Sequence, residues 1–232
     1  REYTGHFDEA TCIDWRADSR YFATGSRDMT VRVYSLFPEK KSGFVPVTFA
    51  GHRDAIIGVF WGAGSNICYS VSRDAAVFEW VWEMGDKDDA GKTGGIKPHA
   101  NKADTRRSGS FTEEPEDEFD FMMQKYGSNS SASSTTTTLL PGLGGGTWKL
   151  HKKHFIQIDH AKVACANFLR ASSLLVVGLD SGIFGLYDMP GCVNIHTLSI
   201  SQHAINTVAI NDSGEWLAFG SAALGQLLVW EG

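Results

Sequence analysis

Apolar residues in this chain fall in short β-branched and aromatic runs separated by turn-forming Gly, Asp, Ser and Asn, a pattern that predicts strands. The first group of runs is Thr11 to Trp15, Tyr21 to Thr24, Val31 to Leu36 and Val45 to Phe49, followed by Ala55 to Trp61, Ile67 to Val71 and Ala76 to Trp82. A later group reads Val163 to Phe168, Leu174 to Val177, Ile183 to Tyr187 and Val193 to Ile200, then Ile205 to Ile210, Trp216 to Phe219 and Leu227 to Trp230.

The runs are organised by a repeat in which a loop histidine precedes a closing aromatic by 27 or 28 residues. The pairs are His6 with Tyr34, His52 with Trp80, His160 with Tyr187 and His203 with Trp230. Equivalent residues are 46 apart in the first half and 43 apart in the second, close to the roughly 40–45-residue period of WD40 repeats. The predicted fold is all-β: four blades of an incomplete, seven-bladed WD40 β-propeller with a long insert. Residues 1–83 hold two blades, 84–146 the insert, and 147–232 two further blades. The last blade lacks its outer strand, and the second loses its outer strand to the insert. The chain opens on Arg1 and stops inside a blade, so it is expected to be a piece of a longer protein. An open fan would leave strand edges and apolar faces uncovered, and further blades of the parent chain are the expected cover.

In WD40 blades the loop His, an Asp in the turn between the second and third strands, a Ser or Thr and the closing aromatic form a buried hydrogen-bonded network, because buried polar groups need partners. His6, Asp28 and Tyr34 fill these places in blade one, and His52, Asp74 and Trp80 in blade two. Blades three and four keep His160 with Tyr187 and His203 with Trp230, but Ser181 and Leu224 stand in the Asp column, so the network is expected to be broken there.

At blade spacing these histidines are structural. No nucleophile and base pair by motif, so no catalytic residue is assigned and the chain reads as non-enzymatic. His151 and His154 lie three apart, yet no Cys or carboxylate stands at zinc spacing around them. No metal and no cofactor are expected. Gly142 to Gly146 lacks a following GK[ST] and a βαβ setting, which leaves a linker rather than a phosphate loop.

Composition changes the picture little. The chain has 232 residues, 42% of them hydrophobic, a net charge of −6 and a pI near 5.7, enough for a large core and without a global bias toward nucleic acid. Any RNA contact is therefore local. Cys12, Cys68, Cys165 and Cys192 form no CxxC pair and read as reduced, buried thiols of an intracellular protein. No run of about 18 apolar residues indicates a membrane span, and no membrane partner is expected.

The insert is rich in Gly, Ser, Thr, Asp and Lys, with Ser128 to Thr138 as a low-complexity tract, and is expected to be mostly disordered. Within it, Phe119, Met122, Met123 and Tyr126 follow an acidic block, Glu113 to Asp120, at helical spacing. They are candidates for docking a partner groove; the other reading is an acidic spacer. Beyond the insert, Trp148 to Phe155 mixes Lys149, Lys152 and Lys153 with aromatics. This is either a candidate RNA contact or a solvated strand edge blunted by lysines.

Several blocks resemble a particular family. Gly5-His6-Phe7-Asp8, Gly51-His52-Arg53-Asp54, Val71 to Phe78, Lys152 to Phe155, Gly214 to Ser221 and Leu224 to Glu231 are similar to the periodic tryptophan protein 2 family of WD40 proteins. The last block includes Leu224 and Gly225, which depart from the generic repeat. The resemblance covers nearly all of the chain except the insert. It implies a nucleolar, nuclear scaffold of the UtpB subcomplex in the small-subunit processome, acting in ribosome biogenesis. The implied partners are other WD40 and helical-repeat subunits of UtpB, U3 small nucleolar ribonucleoprotein and pre-rRNA, with 18S rRNA maturation as the outcome. The alternative class is a generic WD40 peptide-recognition module, such as a ubiquitin-ligase substrate receptor or modified-peptide reader, since fold alone does not choose partners.

Overall fold

Fifteen strands, all antiparallel to their neighbours, make up four sheets among the described residues of the computed structural model, which are 1–36, 46–64, 66–84, 146–157 and 161–231. These residues all belong to one compact unit of the chain. Blade one is β1 (Ala10–Trp15), β2 (Tyr21–Ser26), β3 (Val31–Ser35) and β4 (Val47–Phe49), paired in chain order. Blade two is β5 (Ile56–Trp61), β6 (Ile67–Ser72), β7 (Ala76–Met84) and β8 (Gly146–Phe155). Blade three is β9 (Val163–Leu169), β10 (Leu174–Leu179), β11 (Ile183–Asp188) and β12 (Val193–Ser199). Blade four is β13 (Thr207–Ile210), β14 (Trp216–Ser221) and β15 (Gln226–Glu231). The chain is thus an all-β array of WD40-type propeller blades.

One expectation is corrected. Blade two has an outer strand: β8 pairs with β7 from Ala76↔Phe155 to Met84↔Gly146. The three lysines of β8 disguise its alternation, but Trp148 is buried and Leu150 half-buried on either side of the exposed Lys149, as on a strand with one dry face. Trp148 packs on Trp82 at a ring separation of 5.7 Å, and Glu83 pairs with Lys149 at 2.7 Å. Residues 85–145 therefore leave and re-enter the blade at adjacent positions of one hairpin.

The core lies between blades, and the period-two rule of strands builds it. Along β7, Phe78, Trp80 and Trp82 face blade one and meet Tyr21, Val33 and Phe49, whereas Val77 faces blade three and meets Val163 and Leu175. Phe184 and Leu186 of β11 meet Ile205, Leu217 and Phe219 of blade four. The central strand β2 is buried along its whole length, and β6 and β10 nearly so, so that Thr24, Ser26, Ser70 and Ser72 are buried polar groups in need of partners. Full burial of a Val-, Leu- or Phe-sized side chain contributes about 1.5–3 kcal/mol, so the blade interfaces carry most of the stability.

Two local devices recur. The residue after the Asp column has positive φ in every blade: Met29 (65°), Ala75 (64°), Gly182 (80°) and Gly225 (59°). Where Asp is present it braces the turn, as Asp28 Oδ1 does for the Thr30 amide at 2.9 Å; where Ser181 or Leu224 replaces it, glycine relieves the strain instead. Close approach explains two further glycines. A Cβ on Gly25 would stand 2.4 Å from Ile56 Cγ2, and one on Gly178 would stand 2.8 Å from Ile205 Cγ2.

Candidate functional site

The blade networks come first because they fix the loops on which contacts depend. In blade one, His6 Nδ1 lies 2.9 Å from Asp28 Oδ2 and Nε2 lies 2.7 Å from Thr24 Oγ1. A carboxylate only accepts, so Nδ1 carries the hydrogen and Nε2 accepts from Thr24. Burial pushes the Asp28 carboxyl up, but hydrogen bonds from Thr30, Phe7 and His6 outweigh it and hold it below the ordinary carboxylate range. Tyr34 stands where blade two has Trp80 and donates its hydroxyl to the Thr4 carbonyl at 3.3 Å.

Blade two is arranged differently from blade one. The Trp80 indole N–H donates to Ser70 Oγ (2.9 Å), and Ser70 donates to His52 Nε2 (2.7 Å). His52 Nδ1–H then donates to Ser72 Oγ (2.8 Å), which donates to Asp74 Oδ1. Two serines thus stand between the histidine and its expected partners, an arrangement that a single-residue pattern does not reveal. The His52 ring stacks on Phe78 at 3.9 Å. Desolvation drives its imidazole down to about 4, with the Lys153 ammonium adding to the shift and Asp74 opposing it.

In blade three the Tyr187 hydroxyl is hydrogen-bonded with the side chains of Asn194 and Thr197, whereas blade four holds its aromatic by packing. Tyr187 is buried and Trp230 half-buried, the latter edge-on to Phe184 at 5.8 Å. His203 is exposed, and its ring makes no hydrogen bond among the described residues. Ser181 and Leu224 are exposed. His160 lies outside the described residues, as do Phe119, Met122, Met123 and Tyr126.

The basic patch sits on β8, the outer edge of blade two. Lys149 is paired with Glu83, Lys153 lies 5.1 Å from the Phe78 ring centroid, and Lys152 is exposed. A β-bulge between Leu150 and Lys152 turns His151 aside, bringing its Nδ1 to 3.4 Å from Oε1 of the buried Glu79. Among the described residues no group of three His, Cys, Asp or Glu side chains could hold a metal ion. All four cysteines are free thiols. Burial pushes Cys12 and Cys68 up, and Cys165 and Cys192 to about 11, so they are poor nucleophiles. No helix among the described residues is long and apolar enough to cross a membrane.

One element escaped the sequence reading. Arg170, just after β9, donates Nη2 to Asp14 Oδ2 (3.1 Å) and to the Trp15 carbonyl (2.9 Å), and Nε to the Trp61 carbonyl (3.0 Å). Asp14 Oδ2 also accepts the Trp61 amide at 2.8 Å. A single guanidinium from blade three thus ties blades one and two beside an open cavity of about 430 Å³ between β1, β5 and β9. With Arg170 and Asp14 156 positions apart, no local pattern signals the pair.

The chain is similar to known proteins in two ways. Residues 1–35 match the WD domain, G-beta repeat family. Over nearly all of its length the chain is 37% identical to Periodic tryptophan protein 2 homolog of Neurospora crassa, with 97% of this chain and 20% of the relative aligned. It is 36% identical to Periodic tryptophan protein 2 of Saccharomyces cerevisiae (100% and 21%) and 35% identical to the Mus musculus homolog (100% and 24%). The chain thus spans about a fifth to a quarter of the length of these relatives. The repeat, the blades and this full-length likeness agree: the chain belongs to the periodic tryptophan protein 2 family of WD40-repeat proteins.

Proposed function

We propose that this chain is a propeller segment of a non-enzymatic scaffold protein that works in ribosome biogenesis. In this reading it assembles with U3 small nucleolar ribonucleoprotein on pre-rRNA, within the UtpB subcomplex of the small-subunit processome, in the nucleolus. Its neighbours there are other WD40 and helical-repeat subunits, and maturation of 18S rRNA depends on it. The observation that carries the reading is the family likeness across the whole chain, including the blade-four block from Gly214 to Glu231 that departs from the generic repeat.

The architecture suits the task. Four blades joined by apolar interfaces and braced by Arg170 make a stiff support whose loops hold fixed positions, and binding residues are commonly carried on loops set by such a support. The polar clusters that resemble catalytic groups are consumed internally: His6, His52, Asp28 and Asp74 all bond within their own blades.

The test is depletion of the intact protein from growing cells, with precursor and mature ribosomal RNAs followed over time. Loss of 18S RNA with accumulation of its unprocessed precursors, while 25S or 28S RNA continues to form, is the expected result. Normal 18S production after full depletion would overturn the reading.

A further inference from the structure

We propose that one corner of blade two, where the loops bearing Arg53 and Arg73 meet the end of β8, is a contact surface for single-stranded RNA. This rests on the RNA association in the proposed function and names the surface that carries it. Hydrogen bonds fasten the three segments together: the Arg73 amide donates to the Ala55 carbonyl at 2.9 Å, and the Ile156 amide to the Ala75 carbonyl at 3.0 Å. Lys153, over the ring of Phe78 that stacks on His52, sits at the same corner.

The charge balance is what distinguishes this corner. Arg53, Arg73 and Lys153 are exposed and carry no ion pair among the described residues, whereas Lys152 stands on the other face of β8, directly across from Glu79. The acids beside them are fewer: Asp54, which lies 3.8 Å from Lys162 Nζ, and Asp74, which accepts the Ser72 hydroxyl. At the opposite end of β8, Lys149 is neutralised by Glu83. A local surplus of positive charge therefore stands on a chain whose net charge is −6. Phosphates are the ligand such a surplus fits.

Phe155 decides which polyanion. It is 67% exposed at the end of β8, on the same face of the strand as Lys153 and opposite Ala76, which follows the turn bearing Arg73. An open aromatic face next to guanidinium and ammonium groups can stack an unpaired base while the cations hold the backbone. Bases inside an RNA duplex are already stacked, and its deep groove excludes side chains. The surface therefore fits a single strand, with Arg53, Arg73 and Lys153 on phosphates and Phe155 on a base.

The test is ultraviolet crosslinking of the intact protein to RNA in growing cells, with co-purifying proteins measured in the same samples. Arg53→Glu/Arg73→Glu is expected to lower the RNA yield about tenfold or more, and Phe155→Ala several-fold, both with partner proteins retained. Lys149→Glu, at the neutralised end of the strand, is expected to change RNA yield little. Unchanged RNA yield in both corner variants overturns this surface while leaving the scaffold reading intact. Loss of one protein partner at unchanged RNA yield would mean that the corner binds an acidic segment of a protein, which also overturns it. If the arginine variant fails to fold and loses every partner, Phe155→Ala decides alone. Absence of crosslinked RNA in the unaltered protein overturns the surface, and retained processome partners would show that the scaffold reading survives it.

Discussion

Arg170 Nη2 lies 3.1 Å from Asp14 Oδ2, so a blade-three guanidinium is bonded to a blade-one carboxylate that also accepts an amide from blade two. The pair is partly exposed, and its charge–charge attraction contributes little by itself. The value of Arg170 lies in its fork, which also reaches the Trp15 and Trp61 carbonyls. Arg170→Ala is expected to destabilise the chain by about 1–3 kcal/mol, because three acceptors lose their donor. Arg170→Lys is expected to recover little, since an ammonium lacks the planar fork. Urea unfolding measures both.

The buried His52 makes stability depend on pH in a known direction. Its imidazole titrates near 4 in the folded chain and near 6.5 when unfolded. Between these values the unfolded chain binds a proton that the folded chain refuses, so stability is full above about pH 6.5 and falls as pH drops toward 4. The loss is a few kcal/mol at most. Replacing His52 with Gln is expected to flatten this slope while lowering stability at neutral pH. Denaturation midpoints between pH 7 and pH 4.5 follow the effect.

The positive-φ turns allow a stabilising change. Met29→Gly and Ala75→Gly relieve a left-handed conformation that costs a non-glycine residue about 1–2 kcal/mol, partly offset by the greater freedom of glycine when unfolded. A net gain of up to about 1 kcal/mol is expected at the exposed Met29, whereas at Ala75, buried in the core, loss of a methyl worth about 0.8 kcal/mol cancels most of it. Gly182→Ala is expected to be damaging, because its Cβ would sit 2.1 Å from the Ser201 carbonyl oxygen. Thermal melting ranks the three.

Close packing of the interfaces leads to the opposite outcome elsewhere. Gly25→Ala and Gly178→Ala place a methyl against Ile56 and Ile205, and such overpacking costs about 1–3 kcal/mol. Unfolding midpoints lowered to that extent are expected for each variant, with no change of fold by circular dichroism.

The hairpin β7–β8 ends with Met84 directly opposite Gly146. Replacing residues 85–145 with Asn-Gly, which favours a two-residue hairpin turn, is expected to leave the blades folded and at least as stable. Each halving of loop length removes about 0.6 kcal/mol of closure entropy. Loss of the cooperative transition in the shortened chain would show that the hairpin register is wrong.

The sequence showed the blades because their signals are local. Each His-to-aromatic interval lies inside one repeat, and the Asp column sits in one turn. What it hid is either long-range or disguised. Arg170 and Asp14 meet only when three blades close. The strand β8 sets Trp148 and Leu150 among Lys149, Lys152 and Lys153, so its charge was more visible than its buried face. The serines Ser70 and Ser72 are unremarkable in a strand until the His52 ring is placed between them. Arg53 and Arg73 carry no local signal that sets them apart, and only the folded chain brings their loops to the end of β8.

The measurement that tests the central claim most directly is purification of the intact protein from growing cells in mild salt, with every co-purifying protein and RNA identified. Recovery of U3 RNA, pre-ribosomal RNA and a fixed set of other propeller subunits is expected. Recovery of ubiquitin-ligase or chromatin components without ribosomal precursors would contradict the scaffold reading and put a generic recognition module in its place.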